Sequence, residues 1–351
     1  MRPALCPRLV NGPLEDPVLY INLRHQSRAI LLDCGEIATL APRDILKISH
    51  IFISHTHMDH FAGFDRILRL TLGREQTLQI FGPAGFLKNL ENKLGAYTWN
   101  LVCNYPTGLK IIATEITDLQ LRTRRYTCQS GFKAQGADQV HTFDGVAARE
   151  PDLVVNSRIL DHRIPCLGFA VKEKIHINVM KTGLDDLGLV PGPWLQTFKA
   201  ALQRQPDAEA AFYIPQTATR SGKSRIMPLN KLARHIARMT RGSKIAYIVD
   251  AAGTPANVEK MVDLARHADH LYIEAAFAHD HHAIALQKAH LTARQAGIVA
   301  GRAGVRRFTP IHISPRYSDA PQAIMQEARE AYSEHFQPPP DGDNGSCLSF
   351  Q

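Results

Sequence analysis

The stretch Ile51-Phe52-Ile53-Ser54-His55-Thr56-His57-Met58-Asp59-His60 decides how this 351-residue chain is read. The run from Ile48 to Ile53 has the β-branched and aromatic character of a buried strand, and it stops at four metal-type donors within six residues. Alternate residues of an extended segment face one way, so His55 and His57 project together, while Asp59 and His60 follow on the turn. Imidazole nitrogens and carboxylate oxygens suit zinc or a similar divalent ion. Six residues cannot wrap all four groups around one ion. The spacing therefore predicts a shared loop, with His55 and His57 on one metal and Asp59 and His60 on a neighbour about 3.5–4 Å away. The alternative is a solvated His-rich loop, which seldom sits flush against a buried strand with a carboxylate in register.

Composition bounds the rest. Hydrophobic residues make up 44% of the chain, enough for a sizeable core. No apolar run approaches the ~18 residues needed to span a bilayer, and Met1 to Pro7 lacks the apolar region of a secretory signal, so no membrane partner and a cytoplasmic location are expected. Six scattered cysteines without a C-x-x-C pair suggest neither a disulfide framework nor a thiolate zinc site. The formal charge of +8 favours an anionic partner, nucleic acid above all.

Working outward, Val18 to Leu23 and Ala29 to Asp33 read as a hairpin. Asp33 is either a second-layer carboxylate that orients a metal-bound histidine or a surface turn residue. Phe61 to Gly73 reads as a helix, Leu78 to Phe81 as a strand, and Ala84 to Leu94 as a helix, a rhythm that suits an α/β sandwich. Tyr97 to Phe143 yields only strand-like pieces at Leu109 to Ile112 and Leu119 to Tyr126. Ser221-Gly222-Lys223-Ser224 has the look of a phosphate loop, but Thr217 stands where the first glycine must be, and the reading is discarded. Lys231 to Thr240 reads as a basic helix. Lys244 to Val249 reads as a strand ending at Asp250, and a carboxylate at a strand tip has the form expected of a bridge between two metals. Three further histidines, His279, His281 and His282, read as a solvated loop. The last helix is expected from about Ala320 to His335, and the Pro-rich tail 337–351 is expected to be disordered.

The pattern His-x-His-x-Asp-His after a strand resembles the metallo-β-lactamase superfamily of dinuclear hydrolases, which implies a four-layer αββα sandwich. Three further stretches resemble the ribonuclease Z branch, the tRNA 3′-processing endonucleases. They are His162 with Pro165 and Gly168-Phe169; Glu274-Ala275-Ala276 followed by His290-Leu291-Thr292; and His312-Ile313-Ser314-Pro315-Arg316-Tyr317. The resemblance implies that His162 completes the first metal's shell, His312 the second's, and that Asp250 bridges them. It implies two zinc ions, with manganese or another divalent ion possible, and a homodimer. Asp59 would hold the attacking water, and His290, steadied by Glu274, would protonate the leaving group. A protruding arm over residues 172–200 would grip the tRNA elbow through Gly192 and Pro193 with Lys199 behind them, and Arg316 would also meet substrate. Residues 1–336 would form the hydrolase domain. Two departures stand out: the family's Gly-Thr opening strand is missing, and Asp250 sits in Val249-Asp250-Ala251-Ala252-Gly253-Thr254 instead of Gly-Asp-Thr. The expected function is removal of 3′ trailers from precursor tRNA. The alternatives are a hydrolase of small phosphodiesters or other esters, and a catalytically lapsed RNA-binding relative.

Overall fold

Residues 5–24, 26–204 and 209–338 are described by the structure, a computed structural model. The chain opens with β1 (Leu5–Leu9), β2 (Leu19–Leu23), β3 (Arg28–Leu32), α1 (Pro42–Ile45), β4 (Ile48–Phe52), α2 (Met58–Phe61), α3 (Phe64–Thr71), β5 (Thr77–Pro83), α4 (Phe86–Gly95), β6 (Lys110–Ile116), β7 (Gln120–Thr127) and β8 (Ala134–Thr142). These eight strands form one sheet in sequence order, parallel from β3 to β6 and antiparallel at both edges. There follow β9 (Val146–Arg149), β10 (Leu153–Asp161), β11 (Pro165–Glu173), β12 (Ile175–Val179), α5 (Lys181–Asp186), α6 (Trp194–Arg204), β13 (Ala211–Ile214), β14 (Arg225–Pro228), α7 (Leu229–Ile236) and β15 (Ala237–Arg241). The chain continues through β16 (Lys244–Ile248), α8 (Pro255–Ala265), β17 (His270–Glu274), α9 (His282–Lys288), α10 (Ala293–Arg302), β18 (Phe308–Ile311) and α11 (Pro321–His335). A second sheet has the order β18-β17-β16-β11-β10-β9, with β16, β17 and β18 parallel.

Alternation within the strands builds the layers. Leu31, Ile51, Ile80 and Ile111 turn to one side of the first sheet and pack on Phe64, Ile67 and Leu68 of α3 and on Phe86, Leu90 and Leu94 of α4. The spacing of those helical residues puts them on one face of each helix. On the other side the Phe52 ring stacks on Phe81 at 4.6 Å and meets Phe169 of β11 at 5.4 Å, so the two sheets lie face to face. The second sheet covers its outer side with Met261 and Leu264 of α8, Ala296 and Val299 of α10, and Ile324 and Ala328 of α11. The result is the expected αββα sandwich. Each fully buried Leu, Ile or Phe contributes about 1.5–3 kcal/mol of transfer free energy.

The chain divides into two compact units. Among the described residues one comprises the chain up to Ala148, Val155–Val171 and Lys244–Pro338, and contains the sandwich; the other comprises Arg149–Val154 and Lys172–Ser243. The second has its own core, in which Trp194, Phe198 and Leu202 line one face of α6 against Phe212, Ile214, Leu232 and Ile236. Residues 172–200, expected as an arm, all fall in this unit.

Several local expectations are corrected. The helix expected over Lys231 to Thr240 ends at Ile236, because Ala237 to Arg241 pair with β12 as a strand. The helix expected from Phe61 is split into α2 and α3 where Gly63 N–H turns back to the Cys34 carbonyl. Pro191-Gly192-Pro193 leads into α6. Residues 339–351, most of the tail expected to be disordered, lie outside the described residues.

Candidate metal centre

The decisive loop leaves the sheet at Ser54, and a carboxylate catches it. Asp33, just past the end of β3, accepts the Ser54 backbone N–H at 2.6 Å through Oδ1 and the Ser54 hydroxyl at 2.8 Å through Oδ2. The same Oδ2 accepts the Tyr247 hydroxyl at 2.9 Å and faces His60 Nδ1 at 2.9 Å. Asp33 is fully buried, so of its two readings the surface turn is excluded. The loop is pinned again where Cys34 N–H donates to the His60 carbonyl.

Other elements deliver donors to the same rim. Asp250 follows β16, Glu274 ends β17 and His312 follows β18, three neighbouring parallel strands whose C-terminal ends lie side by side. His162 comes from the turn between β10 and β11. Asp33, Asp250 and His312 all adopt positive φ, at 55°, 50° and 54°, a conformation that costs a non-glycine residue and that tends to cluster at functional sites.

Three overlapping donor sets result. His55, His57, His162 and Asp250 each bring a ligand-type atom within 4.8 Å of the others, and so do Asp59, His60 and His312; Asp250, Glu274, His290 and His312 form a third set that shares a residue with each of the first two. Asp250 reaches across both: its Oδ2 lies 3.4 Å from His55 Nε2, 3.4 Å from His60 Nε2 and 3.6 Å from His162 Nε2, and its Oδ1 lies 2.7 Å from His312 Nδ1. Asp59 Oδ2 stands 3.4 Å from His60 Nε2 and 3.5 Å from His312 Nε2. His55 Nε2 and His60 Nε2 are buried without a hydrogen-bond partner among the described residues. Leaving such atoms unpaired costs about 1–3 kcal/mol each, and convergent imidazole and carboxylate atoms of this kind fit divalent ions.

Electrostatics divide the donors into rings already neutral and rings that must lose a proton to ligate. Burial, reinforced by the His60 charge, lowers the His55 pKa to about 2, which keeps the ring neutral as ligation requires. Burial opposes the charged forms of His60 and His312, but carboxylates together outweigh it and raise both well above 6.5: Asp250 with Asp33 for His60, and Asp250 with Asp59 and Glu274 for His312. Burial would raise Asp250, yet His312 and His60 hold it well below its usual range.

The imidazoles are held from behind. His162 Nδ1 donates to the Ala289 carbonyl at 2.8 Å, and His55 Nδ1 is 3.1 Å from the Ser54 hydroxyl. Beside the donors, His290 Nδ1 meets Glu274 Oε2 at 2.8 Å, while Glu274 Oε1 accepts the N–H groups of Ala251 and Leu291. Burial opposes a charged His290, but Glu274 and Asp250 together outweigh it and raise the pKa.

The remaining expected residues lie elsewhere. Arg316 is exposed just after the His312 strand. Gly192 and Pro193 line a pocket with Trp194, Phe212 and Tyr213 in the second unit, where Lys199 is half-buried and its pKa lowered by burial. His281 Nδ1 bonds the Tyr317 hydroxyl at 2.6 Å, whereas His279 and His282 are exposed. Sequence reading missed Tyr247. Its signal was a hydroxyl on a residue inside a buried strand, which must find a partner.

A four-layer sandwich with two adjacent His/Asp sets on the rim of its sheets defines a metal-dependent hydrolase of the metallo-β-lactamase fold. Residues 28–176 match the beta-lactamase superfamily domain. A solved structure of similar fold is the metallo-beta-lactamase fold protein YhfI from Bacillus subtilis, with TM-score 0.52, 14% identity, and coverage of 93% of this chain and 94% of that one. Ribonuclease Z of Deinococcus radiodurans is 30% identical over 92% of this chain and 94% of its own length, and ribonuclease Z of Brevibacillus brevis is 27% identical over 86% and 82%. The chain belongs to the ribonuclease Z family. No helix among the described residues is long and apolar enough to cross a membrane.

Proposed function

We propose that the chain is an endoribonuclease that removes 3′ trailers from precursor tRNA, with two zinc ions as its working metals. The observation that carries the reading is the pair of donor sets joined by Asp250 with the His290–Glu274 pair alongside. His55, His57 and His162 would hold one ion, Asp59, His60 and His312 the other, with Asp250 between them. Bound divalent ions supply an acidified water and offset charge on the phosphoryl oxygens.

The chain's own groups do the rest. Asp59, whose side chain is partly exposed beside His60 and His312, accepts a hydrogen bond from the attacking water. His290 spends Nδ1 on Glu274, which leaves Nε2 to protonate the departing 3′ oxygen, and a raised pKa keeps that proton available near neutral pH. Residues 172–200, with Gly192, Pro193 and Lys199, act as the arm that holds the tRNA elbow, and Arg316 meets the substrate near the metals. Phosphate contacts away from the metals supply affinity and register for a long polyanion, in keeping with the charge of +8. The protein works as a homodimer in the cytoplasm, and residues 1–336 act as one hydrolase domain.

The test is cleavage of a 3′-extended precursor tRNA by zinc-loaded protein, beside a His60→Ala control and a small chromogenic phosphodiester. Cleavage at the trailer junction that is lost in the control supports the reading. Turnover of the small diester alone would move the protein to small-ester hydrolysis, and silence on both would leave an RNA-binding relative.

A further inference from the structure

One pocket opens directly beside the donors. Asp59, His290 and His312 line it, together with Phe277, Ser314 and Pro315. Glu15 and Asp16 line it too, each carboxylate anchored at the backbone: Glu15 Oε2 accepts Gly12 N–H and Asp16 Oδ2 accepts Glu36 N–H, both at 2.8 Å. An anionic substrate would meet three carboxylates here. Among the described lining residues one Lys or Arg shares the pocket with them, Lys288, at the end of α9 and two residues before His290.

Lys288 is exposed and makes no ion pair among the described residues, so its charge is not consumed by Glu15, Asp16 or Asp59. Its position is nevertheless set, since Nζ lies 6.0 Å from the centroid of the Phe277 ring, and that ring stands 6.1 Å from the His290 ring. An ammonium on a flexible stem is a compact point charge suited to a phosphate oxygen. If His290 meets the leaving oxygen, the nucleotide that carries this oxygen occupies the pocket, and of the described residues that line it Lys288 is the one cation within reach of that nucleotide's other phosphate.

We infer that Lys288 binds the phosphate next to the scissile one, on the leaving-oxygen side, and so makes the site prefer a polynucleotide to an isolated diester. This rests on the endoribonuclease reading above. It assigns Lys288 to substrate binding and leaves the proton transfer to His290.

The experiment compares zinc-loaded wild type, Lys288→Met and Lys288→Arg on a 3′-extended precursor tRNA and on bis(p-nitrophenyl) phosphate, which has one phosphate only. The expected result for Lys288→Met is a KM for RNA raised about tenfold with kcat within about threefold. The slope of log kcat/KM against log salt should become shallower by about 0.7–0.9, one phosphate contact. Its loss on RNA should exceed its loss on the small diester about tenfold, and Lys288→Arg should recover most of it. Equal losses on both substrates, or an unaltered salt slope while wild type cuts RNA, overturn the assignment and leave the endoribonuclease reading standing. A wild type that turns over the diester and leaves RNA uncut overturns both.

Discussion

Asp33 shows how far one side chain can act from the ions it serves. It accepts the Ser54 N–H and hydroxyl and the Tyr247 hydroxyl, and it faces His60 Nδ1, so the ring is fixed with Nε2 toward Asp250. Asp33→Ala should lower divalent-metal affinity about 10- to 100-fold in a chelator competition. It should also cost about 2–5 kcal/mol in denaturant unfolding, because several buried donors lose their acceptor. Affinity that survives the change would show that His60 needs no orienting carboxylate. Glu274 acts one step closer to the reaction. Its charge raises the His290 pKa, and the protonated ring is the active form of a general acid, so activity is lost as pH rises through that pKa. Glu274→Gln removes the charge. The alkaline limb of the pH–rate profile should therefore move to lower pH, and kcat at pH 8 should fall about 10²-fold or more. An alkaline limb that stays in place would take His290 out of the acid role.

Among the elements, the turn after β3 and the ligand loop fit so closely that a single methyl group distinguishes them from ordinary loops. A Cβ on Gly35 would overlap the Asp59 carbonyl oxygen and come within 2.7 Å of Asp16 Oδ2, whereas a Cβ on Gly95, in α4, meets nothing within 4 Å. Gly35→Ala should displace the loop, weaken metal binding and cost about 1–3 kcal/mol, while Gly95→Ala should be neutral or stabilise by up to about 1 kcal/mol. Equal thermal shifts for the two would sink the argument. What could be read from sequence follows the same physics. β4 announces itself as an apolar run buried on both faces, and α3 and α4 because each buries one periodic face. β8 does not, since nearly all of its residues are exposed and no apolar alternation marks it. The end of α7 was misread because pairing with β12 draws Ala237 to Arg241 into a strand despite their helical look. In the site, His55, His57, Asp59 and His60 form one short cluster that spacing alone makes legible, whereas His162 and His312 stand singly and are picked out only by the family resemblance. The Asp33–Tyr247 bond joins residues 214 apart, so although a buried hydroxyl must find a partner, nothing local pairs it with Asp33.

Across the whole molecule, the donors come from the edges of two separate sheets, with His55 and His60 after β4 and Asp250 and His312 after β16 and β18, so bound ions must tie the two sheets together. Ligands that bind only the folded state stabilise it by about 2.7–4.1 kcal/mol at 100–1,000 times Kd, and removal of the metal should lower Tm accordingly. The pH dependence of that loss has a definite sign. In the metal-free protein the neighbouring carboxylates, Asp250 foremost, raise the pKa of His60 and His312 well above 6.5, so the stability that their protonation contributes is fully present below pH 6.5 and is lost as pH rises through the raised values. Metal binding runs the other way, because those imidazoles must shed their protons to become ligands, and affinity grows as pH rises. The gap in Tm between zinc-loaded and chelator-stripped protein should therefore widen from about pH 6 to about pH 8.5. Melting both forms across that range is the check: a gap that stays flat or narrows would mean that His60 and His312 do not exchange protons for metal.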